Sequence, residues 1–424
     1  MKQQQKHIFN KYNFIDLFAG AGGLSEGFIR HGFHPIAHVE MNKDASDTLK
    51  TRAAYHYLKK NNKLKTYYKH LENPRRKQSD LWNLVPQYII DSVINKEISE
   101  HTLQDIFSNI DILAKGKEID LIIGGPPCQA YSVAGRARDP NKMKNDPRNY
   151  IYRYYIQFLK RYCPKIFVFE NVPGILSANN GEYLKKIFDA VKEAGYNVSI
   201  PEKKFLNAKN FNVLQDRKRV IIIGWKKDLN LQYPFFKEQA PKFKIYPDLF
   251  SDLKKLKNGE GNFNCTKYSA PITKYLKQSK IRNGIDFTTQ HLSRPNNDID
   301  LEIYKLAVEE WSNRKRLNYS KLPERLIKHS NRHSFMNRFQ VVDGSGISHT
   351  LVAHIAMDGH YYIHPDKDQN RSITVREAAR IQSFPDDYFF EGSRTAVFKQ
   401  IGNAVPVLMA EGIAKKIKEM LCQI

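Results

Sequence analysis

Five short, almost continuously apolar runs, at 14–18, 36–39, 121–123, 166–169 and 220–223, are the features that most constrain how this chain can fold. A strand with one wet face alternates apolar and polar residues. These runs do not alternate, so both faces of each strand need covering, as in a parallel sheet packed between helices. Helical periodicity lies between them: Glu182 to Ala194 puts Leu184, Ile187, Phe188 and Val191 on one face, and Gly195 supplies the stop. Strands alternating with helices predict an α/β fold, doubly wound around a mostly parallel sheet. The pattern breaks after Trp225. From about 226 to 362 the sequence is irregular, basic and rich in Asn, Lys, Tyr and Pro, and a compact pattern resumes near Arg371. It closes on an amphipathic helix carrying Val407, Leu408, Ala410, Ile413, Ala414, Ile417 and Leu421. The expected organisation is one domain over 1–225, completed by 363–424, with a second, smaller domain at 226–362. An insertion at about 51–90, dense in lysine, reads as a solvated face or loop.

Lys and Arg outnumber Asp and Glu by 68 to 44, a formal charge of +24, which suits a polyanionic partner such as a phosphate backbone. Hydrophobic residues make up 41% of the chain, enough for a sizeable core. Cys128, Cys163, Cys265 and Cys422 stand far apart with no CxxC pair. Neither a disulfide framework nor a metal site is expected. Met1 to Lys6 lack the apolar stretch of a signal peptide, and no run approaches the ~18 apolar residues of a membrane span. The expectation is a soluble, cytoplasmic protein.

The first run leads into Phe18-Ala19-Gly20-Ala21-Gly22-Gly23, with a helix predicted from Leu24. Glycines there permit a tight strand-to-helix turn and close approach of a ligand to the backbone. Glu40 ends the next strand, where a carboxylate can accept ribose hydroxyls. Gly20 and Gly22 match the GxG of a dinucleotide fingerprint, but Ser25 stands where its third glycine belongs, which favours a nucleoside cofactor without a pyrophosphate.

Gly124-Gly125-Pro126-Pro127-Cys128-Gln129 follows the third run. Ligands of open α/β sheets bind beyond the carboxyl ends of the strands, so Cys128 stands where chemistry would occur. A lone cysteine is more often a small buried hydrophobe. Here a rigid Gly-Pro turn presents it, and the cation-rich 135–148 segment would favour the thiolate. Glu170 ends the fourth run, and Gln215-Asp216-Arg217-Lys218-Arg219 leads into the fifth, so a nucleophile, an acid and paired arginines converge on one sheet edge.

These residues carry a resemblance. DLFAGAGGLSEGF at 16–28, GGPPCQAYS at 124–132, ENV at 170–172, QDRKR at 215–219, RSITVREAARIQSFPD at 371–386 and GNAVP at 402–406 together resemble the DNA cytosine-C5 methyltransferases, in the bacterial restriction–modification form. The resemblance implies a Rossmann-like, class I methyltransferase fold that uses S-adenosyl-L-methionine. It implies that Cys128 attacks cytosine C6, that Glu170 engages N3, and that Arg217 and Arg219 orient the base. It implies a cofactor site of Phe18, Gly20, Gly22, Gly23, Leu24, Glu40, Met41, Pro127, Asn403 and Val405, with Glu97 and Ile98, or else Asp105 and Ile106, near the adenine. Implied DNA contacts are Gln129, Ser132, Arg136, Arg148 and Thr350, with 130–148 a closing loop and 226–362 the target-recognition region. Asn212 and Leu214 depart from the Gly and Pro common there. Double-stranded DNA is the implied partner of a monomer, with a cognate endonuclease as genetic partner. An RNA cytosine methyltransferase would carry a Cys-Phe-Thr motif that this chain lacks, and intact Cys128, Glu170 and Arg217 disfavour a non-catalytic homologue. The target sequence follows no code legible in one chain.

The charge makes one outcome measurable. DNA affinity should fall linearly on a log–log plot against salt through counterion release. A flat plot from fluorescence-anisotropy titrations would count against phosphate contact.

Overall fold

All five apolar runs become strands of one sheet in the computed structural model, which describes residues 12–127, 151–327 and 336–424. In chain order the strands are β1 (Tyr12–Leu17), β2 (Phe33–Val39), β3 (Val93–Ile94), β4 (Leu121–Gly124), β5 (Ile166–Asn171), β6 (Tyr196–Ser199), β7 (Leu206–Asn207) and β8 (Lys218–Lys226). They lie side by side as β3-β2-β1-β4-β5-β8-β6, with β7 also paired to β8. The first five are mutually parallel, whereas β8 runs antiparallel to β5 and to β6. The direction of β8 was not legible in its sequence, because burial on both faces produces the same apolar run either way. The chain steps outward from β1 to β3 and then crosses back to β4 on the other side of β1. This switch leaves Leu17 and Gly124 in register next to each other, at the position where open α/β sheets bind ligands.

Neighbouring residues of each strand serve opposite faces. Ile15, Ile122 and Phe167 pack under Ile106, Phe107 and Ile110 of α6 (Leu103–Ala114) and Tyr155 and Phe158 of α7 (Ile151–Tyr162). Phe14, Leu121, Ile166 and Ile221 pack on Phe28 of α1 (Gly23–Arg30) and Met409, Ile413 and Ile417 of α13 (Val407–Leu421). The predicted terminal helix thus returns to the first strand. α1 and α13 approach so closely that a Cβ on Gly27 would lie 2.5 Å from Ala410. The helix predicted from Glu182 is α8 (Glu182–Glu193), followed by Gly195 at φ +91°.

The 51–90 insertion is helical, not a loop: α2 (Lys43–Lys60) is followed by α3 (Leu64–Glu72), α4 (Gln78–Trp82) and α5 (Gln87–Asp91). Tyr55, Tyr67, Leu71 and Leu81 share a core with Ile285, Phe287 and Phe389, while Lys59, Lys60, Lys63, Lys65 and Lys69 stay exposed. Beyond β8 the chain adds two short strand pairs, α9 (Lys274–Gln278) and α10 (Asp298–Ser312), then α11 (Val375–Ile381) and α12 (Arg394–Asn403). Ile245, Leu249, Phe250 and Tyr275 pack with Ile373, Val375, Val397 and Ile401, so the irregular span and the terminal helices share a core. No helix among the described residues is long and apolar enough to cross a membrane.

Fully buried arginines join that irregular span to α11. Arg371 holds Glu377 through two 2.8 Å contacts and also donates to the Leu256 carbonyl. Arg380 pairs with Asp252 at 2.5 Å and Asp386 at 2.6 Å. Burial alone would raise the Asp386 pKa, but the guanidinium outweighs it and lowers it. Arg376 donates to the carbonyls of Thr289, Pro385 and Tyr388. Removing one partner of such a cluster strands the others away from water. Arg380→Met should therefore cost about 3–5 kcal/mol in denaturant unfolding; a loss below about 1 kcal/mol would refute the clamp, since that is what an exposed pair contributes.

Candidate active site

Two turns lie side by side at the carboxyl edge of the sheet, one after β1 and one after β4. On one side β1 ends in a turn made of left-handed residues: Phe18 at φ +57°, Gly20 at +55° and Gly22 at +77°. A Cβ on Gly22 would lie 2.8 Å from Leu49, and one on Gly23 only 2.3 Å from the Val405 carbonyl. Glycine is required at both, because close packing leaves no room. Gly20 differs: a Cβ there would meet nothing within 4 Å, so its backbone borders open space. Glu40 closes this turn from β2, its Oε2 accepting from the Gly20 amide at 2.8 Å and its Oε1 from Asn42 at 2.7 Å. Burial raises the Glu40 pKa.

Leu24 is buried at the start of α1, and Met41 is 60% exposed just beyond Glu40. Asn403 is exposed at the end of α12, next to Ala404 and Val405, which back onto Gly23. Phe18, Gly20, Gly22, Gly23, Leu24, Glu40 and the 403–405 segment are therefore gathered at one place. Glu97 is exposed in the connection between β3 and α6, with Ile98 buried beside it. Asp105 lies in the first turn of α6 and pairs with Lys96. An open, glycine-bordered turn facing a carboxylate fits a nucleoside.

On the other side, β4 ends against Leu17 and turns through Gly125, where a Cβ would lie 2.8 Å from a Glu170 carboxylate oxygen. Glu170 accepts from Arg219 Nε at 2.8 Å, and both side chains are mostly buried, at 13% and 10% exposure. Asn171 next door is buried; its Nδ2 donates to the Pro126 carbonyl at 3.3 Å, and its Oδ1 accepts from the Val172 amide at 2.9 Å. The ENV and GGPP segments are thereby tied together. Pro127 is half-buried at the end of this turn. Cys128, Gln129, Ser132, Arg136, Arg148 and the expected closing loop lie outside the described residues.

Arg217 is placed differently from Arg219. It has no exposed surface, and its guanidinium donates to the carbonyls of Leu351, Gly402 and Ala404, the last two at 3.1 and 3.0 Å. Alternation along the strand buries both arginines, but Arg219 meets Glu170 whereas Arg217 is committed to backbone carbonyls. Two glutamines complete the arrangement. Gln215 Oε1 accepts from the Leu351 amide at 2.8 Å, and its Nε2 donates to Gln382 Oε1 at 2.9 Å. Gln382 Nε2 donates in turn to the carbonyls of Ile401 and Ala404. Asn171, Gln215 and Gln382 lie within the motifs at 170–172, 215–219 and 371–386, but the resemblance implied no role for them. Nothing in the residues around them marks those side chains as buried and hydrogen-bonded, because their partners lie far away in the sequence. Thr350 Oγ1 donates to the Asp216 carbonyl at 2.6 Å, and Asn212, where glycine is common, takes φ +62°, a conformation asparagine tolerates.

Comparison with known proteins identifies the family. The family model for C-5 cytosine-specific DNA methylase matches residues 12–74 and 88–419. The type II methyltransferase M.Bpa9945I of Bacillus paralicheniformis is 40% identical over 440 residues, covering 96% of this chain and 98% of that one. M.DdeI of Desulfomicrobium norvegicum is 31% identical, covering 96% and 88%. Among solved structures, a prophage-encoded protein of E. coli superposes with a TM-score of 0.62 at 23% identity, over 97% of this chain and 99% of that one. The Entamoeba histolytica methyltransferase EhMeth gives 0.53 at 14%, over 97% and 98%. At those identities the two structures speak for the fold alone, a Rossmann-like class I methyltransferase. The chain belongs to the C-5 cytosine-specific DNA methylases: it is a DNA cytosine-5 methyltransferase of the type II restriction–modification kind, with S-adenosylmethionine as its cofactor.

Proposed function

We propose that this enzyme methylates one cytosine of a specific double-stranded DNA sequence through a covalent Cys128 adduct on a flipped-out base. The observation that carries the reading is the Glu170–Arg219 pair set directly against Gly125, three residues before Cys128. Cytosine C5 is a poor carbon nucleophile. Addition of the Cys128 thiolate to C6 makes the ring enamine-like, and Glu170 at N3 relieves the charge that would otherwise build there. Arg219 holds the Glu170 carboxylate and faces the same space. C5 then takes the methyl group; loss of the C5 proton and expulsion of the thiolate restore both aromaticity and the free cysteine. A base stacked in a duplex cannot reach such a site, which is why extrusion is part of the proposal.

Phe18, Gly20, Gly22, Gly23, Glu40, Met41 and Asn403 would hold S-adenosylmethionine, which supplies the activated methyl group. Glu97 is the adenine-side acid of this proposal; both it and the alternative Asp105 are exposed, and Asp105 pairs with Lys96. Residues 226–362 would select the target, leaving 1–225 and 363–424 to the chemistry. The wider setting we propose is a cytoplasmic, nucleoid-associated monomer that protects host DNA beside a cognate endonuclease.

The nucleophile can be tested directly. Cys128→Ser should abolish methylation of DNA in bisulfite sequencing while DNA and cofactor binding persist, because a hydroxyl is far less ionised than a thiol. Wild-type enzyme should also be trapped covalently on DNA carrying 5-fluorocytosine, where C5 has no proton to release. Near-normal turnover by the serine variant would sink the assignment.

A further inference from the structure

Within the proposed recognition region a groove opens between the end of α10 and the chain at 337–341. Trp311, Leu317 and Phe339 form its apolar lining, and Lys315, Arg316, Asn337 and Gln340 stand around it. The lining is anchored from beneath, since Phe339 and Val341 belong to the same core as Tyr304, Ala307 and Tyr319. No acidic side chain lines the groove. Nearby cations are neutralised within the protein: Arg314 by Asp343 at 3.3 Å, and Arg325 by Glu302. Lys315 and Arg316 are exposed and, among the described residues, have no ion pair; the side chains of Asn337 and Gln340 have no hydrogen bond there. Two amides and two unneutralised cations around an aromatic floor are thus left available to a ligand.

The groove is also tied to the catalytic edge. Gln340 donates its amide to the His360 carbonyl at 2.8 Å, and Val341 bridges to Ile363. Between these, Tyr362 donates its hydroxyl to the Thr350 carbonyl and accepts from the Val352 amide, both at 3.0 Å. Val352 and Ala353 lie against Gly402, beside Asn403. One continuous rib therefore runs from the groove wall to the turn that carries the cofactor motif.

We propose that this groove is a direct-readout site for the duplex, resting on the reading of 226–362 as the recognition region. Asn337 and Gln340 hydrogen-bond to base edges and determine specificity, while Lys315 and Arg316 take backbone phosphates. Amide side chains can pair in bidentate fashion with the N6 and N7 of adenine, and cations hold phosphates without reading sequence. A protein partner fits less well, because the known substrate is the polyanion that this unneutralised rim matches.

The full-length enzyme tests this with Asn337→Ala, Gln340→Ala and the double variant Lys315→Ala/Arg316→Ala. Bisulfite sequencing of a random-site DNA library reads the target profile, and binding titrations over a salt series read phosphate contact. The amide variants should relax preference at one or two positions by roughly 10- to 100-fold, while the consensus elsewhere is kept. The cation variant should weaken binding to all sequences alike and lower the salt slope by about one to two. Unchanged profiles in both amide variants overturn the proposal, as does a uniform loss of turnover with no change of profile. Thermal melting shows whether each variant is folded; Asn337→Asp and Gln340→Glu, which keep side-chain size, replace an alanine variant that is not. A chimera carrying 226–362 from a methyltransferase of known target separates the two levels. If the target moves with the graft while the amide variants keep the original profile, the groove assignment alone fails. If a folded, active chimera keeps its old target, the recognition-region reading fails.

Discussion

The buried hydrogen-bond junction of Gln215, Arg217 and Gln382 is the contact on which the active-site edge depends. Three stretches far apart in sequence end there: the entry to β8, the 350–352 segment, and the turn after α12. None of these polar groups can be buried cheaply, and an unpaired one costs roughly 1–3 kcal/mol. The two glutamines meet that condition by bonding to each other and to backbone. Each glutamine uses both its amide nitrogen and its carbonyl oxygen, and Arg217 serves three carbonyls. A network of this kind favours one arrangement over its neighbours, because a shift of any segment leaves a donor or acceptor bare.

That junction explains why two arginines two residues apart do different things. Arg219 reaches forward to Glu170 at the mouth of the site, where charge would develop during reaction. Arg217 reaches sideways into the protein and locks the strand that presents Arg219. The buried arginines around α11 repeat the principle on a larger scale. Arg371, Arg376 and Arg380 carry the irregular span on their guanidinium groups, and Glu377, Asp252 and Asp386 balance the charge of two of them. Burial and pairing act against each other on these carboxyls. Pairing wins for Glu377, whose pKa lies well below the ordinary carboxylate value. Glu40 shows the opposite outcome: its partners are backbone amides, burial is the larger influence, and its pKa is raised.

Much of this molecule was legible from sequence for a physical reason. Buried strands need apolar residues on both sides, so β1, β2, β4, β5 and β8 announced themselves. The tight turn after β1 combines left-handed residues with close backbone packing, which its glycines accommodate. The motifs are short and contiguous, and the turns after β1 and β4 and the acid Glu170 each lie at the end of a strand. The positions of Glu170, Arg219, Gly20 and Glu40 at the sheet edge were legible in the sequence for the same reason.

Other features depended on contacts between distant segments. The antiparallel course of β8 leaves no trace in its composition, since burial, not direction, shapes the residue choice. The 51–90 insertion resembled a loop because its lysines dominate the pattern, yet Tyr55, Tyr67 and Leu71 turn inward against Ile285 and Phe389. Arg217 and Arg219 look alike in sequence, and only the carbonyls of Leu351, Gly402 and Ala404 distinguish them. The chain by itself thus determined which segments become strands and which residue types stand at their ends, because those demands are local. Tertiary structure decided which polar side chains face the reaction and which are consumed in holding the fold, because hydrogen bonds form between neighbours in space.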